Sequence, residues 1–105
     1  NEFHVAPMVN PENELPYHEW FIEFENEAEN LDGFSNELDL NLQGLNSYYK
    51  DLITGNILQS LKITKLKKSS FREYMKSIGK LGGQNKVPRL ANDRKIADEL
   101  SNYKL

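Results

Sequence analysis

The stretch Tyr17-His18-Glu19-Trp20-Phe21-Ile22-Glu23-Phe24-Glu25 reads as a β-strand with two unequal faces. Successive side chains of a strand point to opposite sides, so His18, Trp20, Ile22 and Phe24 share one face and Tyr17, Glu19, Phe21 and Glu23 the other. The first set is expected to face the core. Phe21, between two glutamates, indicates that the other face is also partly covered. Toward the N-terminus, Phe3 to Met8 reads as a short strand closed by Pro7 and by the turn-rich Asn10-Pro11-Glu12-Asn13-Glu14. The two strands are expected to pair as an antiparallel hairpin.

In the other direction, Asn26 to Asp32 is an acidic connector. A helix is expected from Asp32, whose carboxylate suits the free N–H groups of a first turn, to Gly55-Asn56. Phe34, Leu38, Leu42, Leu45, Tyr49 and Leu52-Ile53 recur every three or four residues and make one apolar stripe. Gly44 costs about 1 kcal/mol inside a helix, which suggests close packing there. Ile57 to Lys67 turns extended, with Leu61, Ile63 and Leu66 among lysines, as on an edge strand. Ser70-Phe71-Arg72-Glu73 has the form of a capping box opening a helix that turns Phe71, Tyr74, Met75 and Ile78 inward and stops at Gly79. Val87 to Leu90 is a short extended segment. Asn92 suits the cap of a last helix with Ile96, Ala97, Leu100 and Tyr103 on one side. The pattern predicts an α+β fold: a small mixed sheet of three to four strands with about three helices packed against it. A parallel second and third strand require a right-handed crossover.

A chain of 105 residues, 38% hydrophobic and 28% charged, fits one ordinary domain. It buries roughly 65% of its unfolded surface, enough for one core but not for a deep enclosed site as well. The absence of cysteine excludes disulfides and thiolate metal sites and points to a reducing, cytoplasmic compartment. No apolar run is long enough to cross a bilayer, and no membrane partner is expected. The chain opens on Asn1 and enters a strand almost at once, as a fragment of a longer polypeptide would. Its net charge of −3 conceals a division: residues 1–60 hold twelve acidic and one basic side chain, residues 61–105 twelve basic and four acidic. The halves either neutralise each other across the fold or leave a basic face for an anion.

No complete active site is visible. His4 and His18 lie on different strands without partners at a metal-ligand spacing, and His18, sharing a face with Trp20, reads as a hydrogen-bonded core or edge histidine. Glu19 and Glu23 lie roughly 13 Å apart along one strand, too far to share a proton, and read as a solvated or cation-paired face. Ser47, Ser69 and Ser70 lack the surroundings of an activated nucleophile. Lys62, Lys65, Lys67 and Lys68 suit a solvated edge better than a nucleic-acid surface, because Phe71 and Tyr74 are needed inside. The segment Gly82-Gly83-Gln84-Asn85-Lys86-Val87-Pro88-Arg89 is more suggestive. Two glycines let backbone approach a ligand, Pro88 stiffens the far end of the segment, and Lys86 and Arg89 bring two cations. It suits phosphate or carboxylate capture, but on composition alone a solvated surface loop is the better reading, since a lone Gly-Gly pair is a weak signal.

Several phrases decide between these. Val5-Ala6-Pro7, Trp20-Phe21-Ile22-Glu23-Phe24, Phe34-x3-Leu38-Asp39-x2-Leu42-x3-Asn46-x2-Tyr49, Phe71-Arg72-Glu73-Tyr74-Met75 and Gln84-Asn85-Lys86-Val87-Pro88-Arg89 occur in consistent order over about residues 3 to 90. Together they resemble the C-terminal domain of the auxin-responsive Gretchen Hagen family of acyl-acid amido synthetases, in its bacterial branch. The resemblance implies that residues 1–105 are one domain, a mobile lid cut from a larger adenylate-forming ligase. In that family a carboxylic acid is adenylated by ATP with Mg2+ and then transferred to an amine, usually of an amino acid. Most of the nucleotide and the acyl substrate are held by an N-terminal domain of the same polypeptide. By resemblance Lys86 is the catalytic, phosphate-contacting lysine, with Gln84, Arg89, Gly82 and Gly83 beside the nucleotide. The isolated domain is expected to lack turnover, and nucleic acid is not an expected partner; the alternative reading is an independent module that uses the basic C-terminal half on nucleic acid or another polyanion.

Overall fold

Glu2–Met8 (β1) and Tyr17–Glu23 (β2) pair antiparallel, with His4 opposite Phe21 and Ala6 opposite Glu19. The molecule is described by a computed structural model that covers residues 2–26, 30–79 and 86–105. Among those residues Lys62–Lys65 (β3) lies parallel to β2, giving a mixed three-stranded sheet in the order β1-β2-β3. The helices are Leu31–Leu45 (α1), Ser47–Thr54 (α2), Ser70–Ser77 (α3) and Lys95–Leu100 (α4), with a final 3₁₀ turn at Ser101–Tyr103. The fold is α+β, as the alternation and helical spacing imply.

Both faces of the sheet are covered, and the balance between them differs from the expectation. The Phe21 face is the principal core: Ala6, Phe21, Leu66, Phe71, Tyr74, Met75, Ala97 and Leu100 form one buried cluster joining the sheet to α3 and α4. The face with Ile22 and Phe24 carries α1 and α2, where His18 stacks on Tyr49 and Phe24 meets the edge of Phe34. His18 and Trp20 are only half-buried there. Phe21 prevails because its glutamate neighbours find partners. Arg94 Nη1 lies 2.8 Å from Glu19 Oε1, an ion pair by distance although the N–H direction falls short of a hydrogen bond, and Thr64 donates to Glu19. Glu23 accepts from the backbone N–H groups of Ser69 and Phe71 at 2.9 and 3.1 Å.

That last contact replaces the expected capping box. Ser69, in the left-handed region at φ +68°, precedes α3 without a side-chain cap bond, so a carboxylate from β2 satisfies the first-turn donors instead. The long helix is likewise two helices. Asn46 takes an extended conformation, donates its N–H to Leu42 to close α1, and accepts the Tyr49 N–H on its side chain at 3.2 Å to open α2. The expected stripe is interrupted there, leaving Leu45 86% exposed. Asn30 rather than Asp32 caps α1, accepting from Gly33 N–H at 2.9 Å. A Cβ at Gly44 would meet nothing within 4 Å, so that glycine serves no close packing. Gly79 does end the α3 segment, at φ +72°, and Ile78 beside it is exposed rather than inward. Asp93, not Asn92, accepts from the first N–H of α4.

Both sheet edges are covered by short bridges. Lys104 pairs with Leu66 beyond β3, and Leu105 N–H donates to Lys65 O. At the opposite edge Leu90 bridges to Val5 in parallel. Among the described residues no helix is long and apolar enough to cross a membrane.

Candidate functional site

The β1 edge carries the cations of the glycine-rich segment. A strand at an edge offers a row of free N–H and C=O groups, and here residues 88–91 take them. Val5 N–H donates to Arg89 O at 2.7 Å, and Ala91 N–H returns a bond to Val5 O at 3.0 Å. One residue further out, the Pro88 carbonyl lies 2.6 Å from His4 Nδ1. A carbonyl only accepts, so Nδ1 is the donor in this bond. Pro88 lacks an N–H and therefore leaves no donor stranded at the edge.

Side chains on this segment divide by direction. Val87 packs against the buried cluster under the sheet. Lys86, Pro88, Arg89 and Leu90 are exposed. The Arg89 guanidinium stands 5.1 Å from the centre of the Phe3 ring, which itself stacks on Trp20 at 5.3 Å. A guanidinium over a ring face is held by the ring's quadrupole while its N–H groups stay available to an anion. Lys86 makes no hydrogen bond or ion pair with the described residues. Its backbone is tethered two residues on, through Pro88 and Arg89, and its ammonium is presented to solvent. Gly82, Gly83 and Gln84, expected beside it, lie outside the described residues.

Elsewhere, part of the charge division is consumed internally. Lys62 of the basic run pairs with Glu14 at 2.5 Å and lies over the Tyr17 ring, and Arg94 pairs with Glu19. These contacts join the basic half of the chain to the acidic half. Arg94 thereby gives Glu19 a structural partner, as the Ser69 and Phe71 N–H groups do for Glu23. Among the described residues no three His, Cys, Asp or Glu side chains are grouped to hold a metal ion.

The other polar centre is buried. Asp39 of α1 accepts from Gln43 Nε2 at 2.7 Å, from the Leu61 N–H at 3.2 Å, and from the Tyr49 hydroxyl. Burial pushes its carboxyl upward, but the bonds from Tyr49, Gln43, Leu61 and Ser60 outweigh that and hold it below the ordinary range. The Tyr49 hydroxyl is pushed well up by burial and by donation to Asp39. Burial lowers His18, partly offset by the Asp39 charge. With these donors engaged, Asp39 ties α1, α2 and the approach to β3 together. It is a structural anion: of the sequence motif through Phe34, Asp39 and Tyr49 make the bond itself, and Asn46 caps the helix that carries Tyr49.

The sequence profile of the GH3 family C-terminal domain matches residues 1–95. The chain belongs to the GH3 family. Two solved structures have the same fold. One, described as "GH3.15 acyl acid amido synthetase", superposes with a TM-score of 0.77 at 17% identity, over 99% of this chain and 19% of its own. The other, "AtGH3.15 acyl acid amido synthetase in complex with 2,4-DB", gives 0.71 at 17% identity, over 99% and 20%. This GH3 domain thus spans about a fifth of the length of those proteins. No curated protein sequence matches the chain.

Proposed function

We propose that this GH3 domain is the mobile C-terminal domain of an ATP-dependent acyl-acid amido synthetase, in which a carboxylic acid is adenylated and its acyl group passed to an amine, of an amino acid in the simplest case. Family membership supports the enzyme class, and one observation carries the assignment to a residue: Lys86 is exposed on a segment whose backbone is bonded to β1. Such a lysine travels with its domain as a fixed point charge. Lysine recognises phosphate as a point charge, without the paired geometry of arginine.

Charge grows on phosphate oxygens as a carboxylate attacks, so a cation placed there stabilises the transition state more than the bound ground state. Arg89, directly after Pro88 and braced on Phe3, is the second positive group on the same edge. Gln84, Gly82 and Gly83 are assigned to the nucleotide by resemblance, and Mg2+ in the same way to the N-terminal adenylation domain of the polypeptide. The carboxylic acid and the amine are partners of that larger body, and the compartment is cytoplasmic on this reading. The test is ATP–pyrophosphate exchange by the full-length polypeptide and its Lys86→Ala variant.

A further inference from the structure

We infer that His4 is a positioning residue for Lys86: its Nδ1–H, bonded to the Pro88 carbonyl, sets the register in which the lysine-bearing segment lies on β1. The inference rests on the reading of Lys86 just given. His4 is fully buried on the Phe21 face, and its Nε2 has no partner among the described residues. A buried polar atom without a partner carries a desolvation cost of roughly 1–3 kcal/mol. A hydrophobic side chain at this position would avoid that cost, so packing alone does not account for the imidazole. What distinguishes it is the one bond it makes, 84 residues along the chain, to the carbonyl two residues after Lys86.

The geometry explains why a side-chain donor is needed. The sheet-edge bonds of Val5 hold Arg89 O and Ala91 N, and among the described residues they are the last backbone bonds in the direction of Lys86. Pro88 has no N–H with which to continue the ladder, so only its carbonyl can be fixed. His4 supplies the donor for it from beneath. With the carbonyl pinned, Val87 stays on the core and Lys86 emerges on a short tether. Without it, two residues lie between the lysine and its nearest anchor.

Three substitutions in the full-length polypeptide separate positioning from mere filling. Asparagine places an N–H where Nδ1 stands, glutamine carries its amide further out, and leucine removes the donor. His4→Asn is expected to stay within about twofold of the parent. His4→Leu and His4→Gln are expected to speed amide hydrogen exchange at Val5 and Ala91 about tenfold, with other core amides unchanged. They should also lower kcat for pyrophosphate exchange about tenfold while moving the KM for ATP less than about twofold, since a displaced catalytic group costs rate rather than binding. In a Lys86→Ala background the same substitutions should change kcat no further. If His4→Leu does not fold, the asparagine–glutamine pair decides. Unchanged amide exchange in the glutamine and leucine variants, equal losses in all three, or a loss that persists without Lys86 would each overturn the inference. If Lys86→Ala alone leaves pyrophosphate exchange at the parent rate, the lysine assignment fails, and amide exchange by itself decides whether His4 sets the register.

Discussion

The hydroxyl of Tyr49 donates to the carboxylate of Asp39 across the break between α1 and α2, and both groups are buried. The bond converts an interrupted helix into a fixed corner. Asp39→Ala should therefore destabilise the chain by roughly 3 kcal/mol, because it strands the Leu61 N–H and the Tyr49 hydroxyl. Tyr49→Phe should cost about 1–2 kcal/mol. Urea denaturation of both variants and of the double variant checks this: the double variant should cost clearly less than the two losses added together.

The same carboxylate predicts an acid-sensitive part of the stability. Its folded pKa is depressed, so the stabilisation is fully present above the unfolded value of about 3.9 and is lost as pH falls through that value and then through the folded one. Asp39→Asn has no such charge to protonate. The difference in urea midpoint between parent and Asp39→Asn should be constant from about pH 7 to about pH 5 and shrink below about pH 4. A difference that does not vary with pH would remove Asp39 as its source.

Glu23 predicts that the start of α3 depends on a strand. Glu23→Ala should cost about 1–2 kcal/mol, in the range of a lost N-cap, while Glu73→Ala, at the place of the expected box, should cost less than about 0.5 kcal/mol. Thermal unfolding of the two variants discriminates between the caps.

Two glycines predict opposite signs. Gly44→Ala enters open space in the last turn of α1 and should stabilise by about 0.5–1 kcal/mol. Gly79→Ala also meets no atom within 4 Å, but its φ of +72° should make it cost about 1 kcal/mol. Urea midpoints of the two variants check the signs. Since neither Cβ touches anything, the contrast isolates backbone conformation.

The alternation in Tyr17–Glu25 revealed a strand covered on both sides, and the helical spacings revealed the elements around it. The relative weight of the two faces was not legible, because the partners that make Glu19 and Glu23 tolerable beside Phe21 lie 45 or more residues away, in Thr64, Arg94 and the start of α3. The break at Asn46 was concealed by an apolar stripe that runs through it, although an asparagine before a helical turn is itself a cap signal. At the candidate site, resemblance pointed to Lys86 and Arg89. His4 reads in the sequence only as a strand histidine without partners at a metal-ligand spacing, since no local pattern connects it to Pro88 across 84 residues.

The central claim is that Lys86 brings its charge to the phosphates of a nucleotide held by the rest of the polypeptide. Pyrophosphate exchange by the full-length Lys86→Ala variant tests it most directly, with circular dichroism showing that the fold is kept. The account predicts a fall of roughly 10²–10³-fold, the usual effect of removing one preorganised charge-stabilising group. An exchange rate equal to the parent's, in a folded variant, would contradict it.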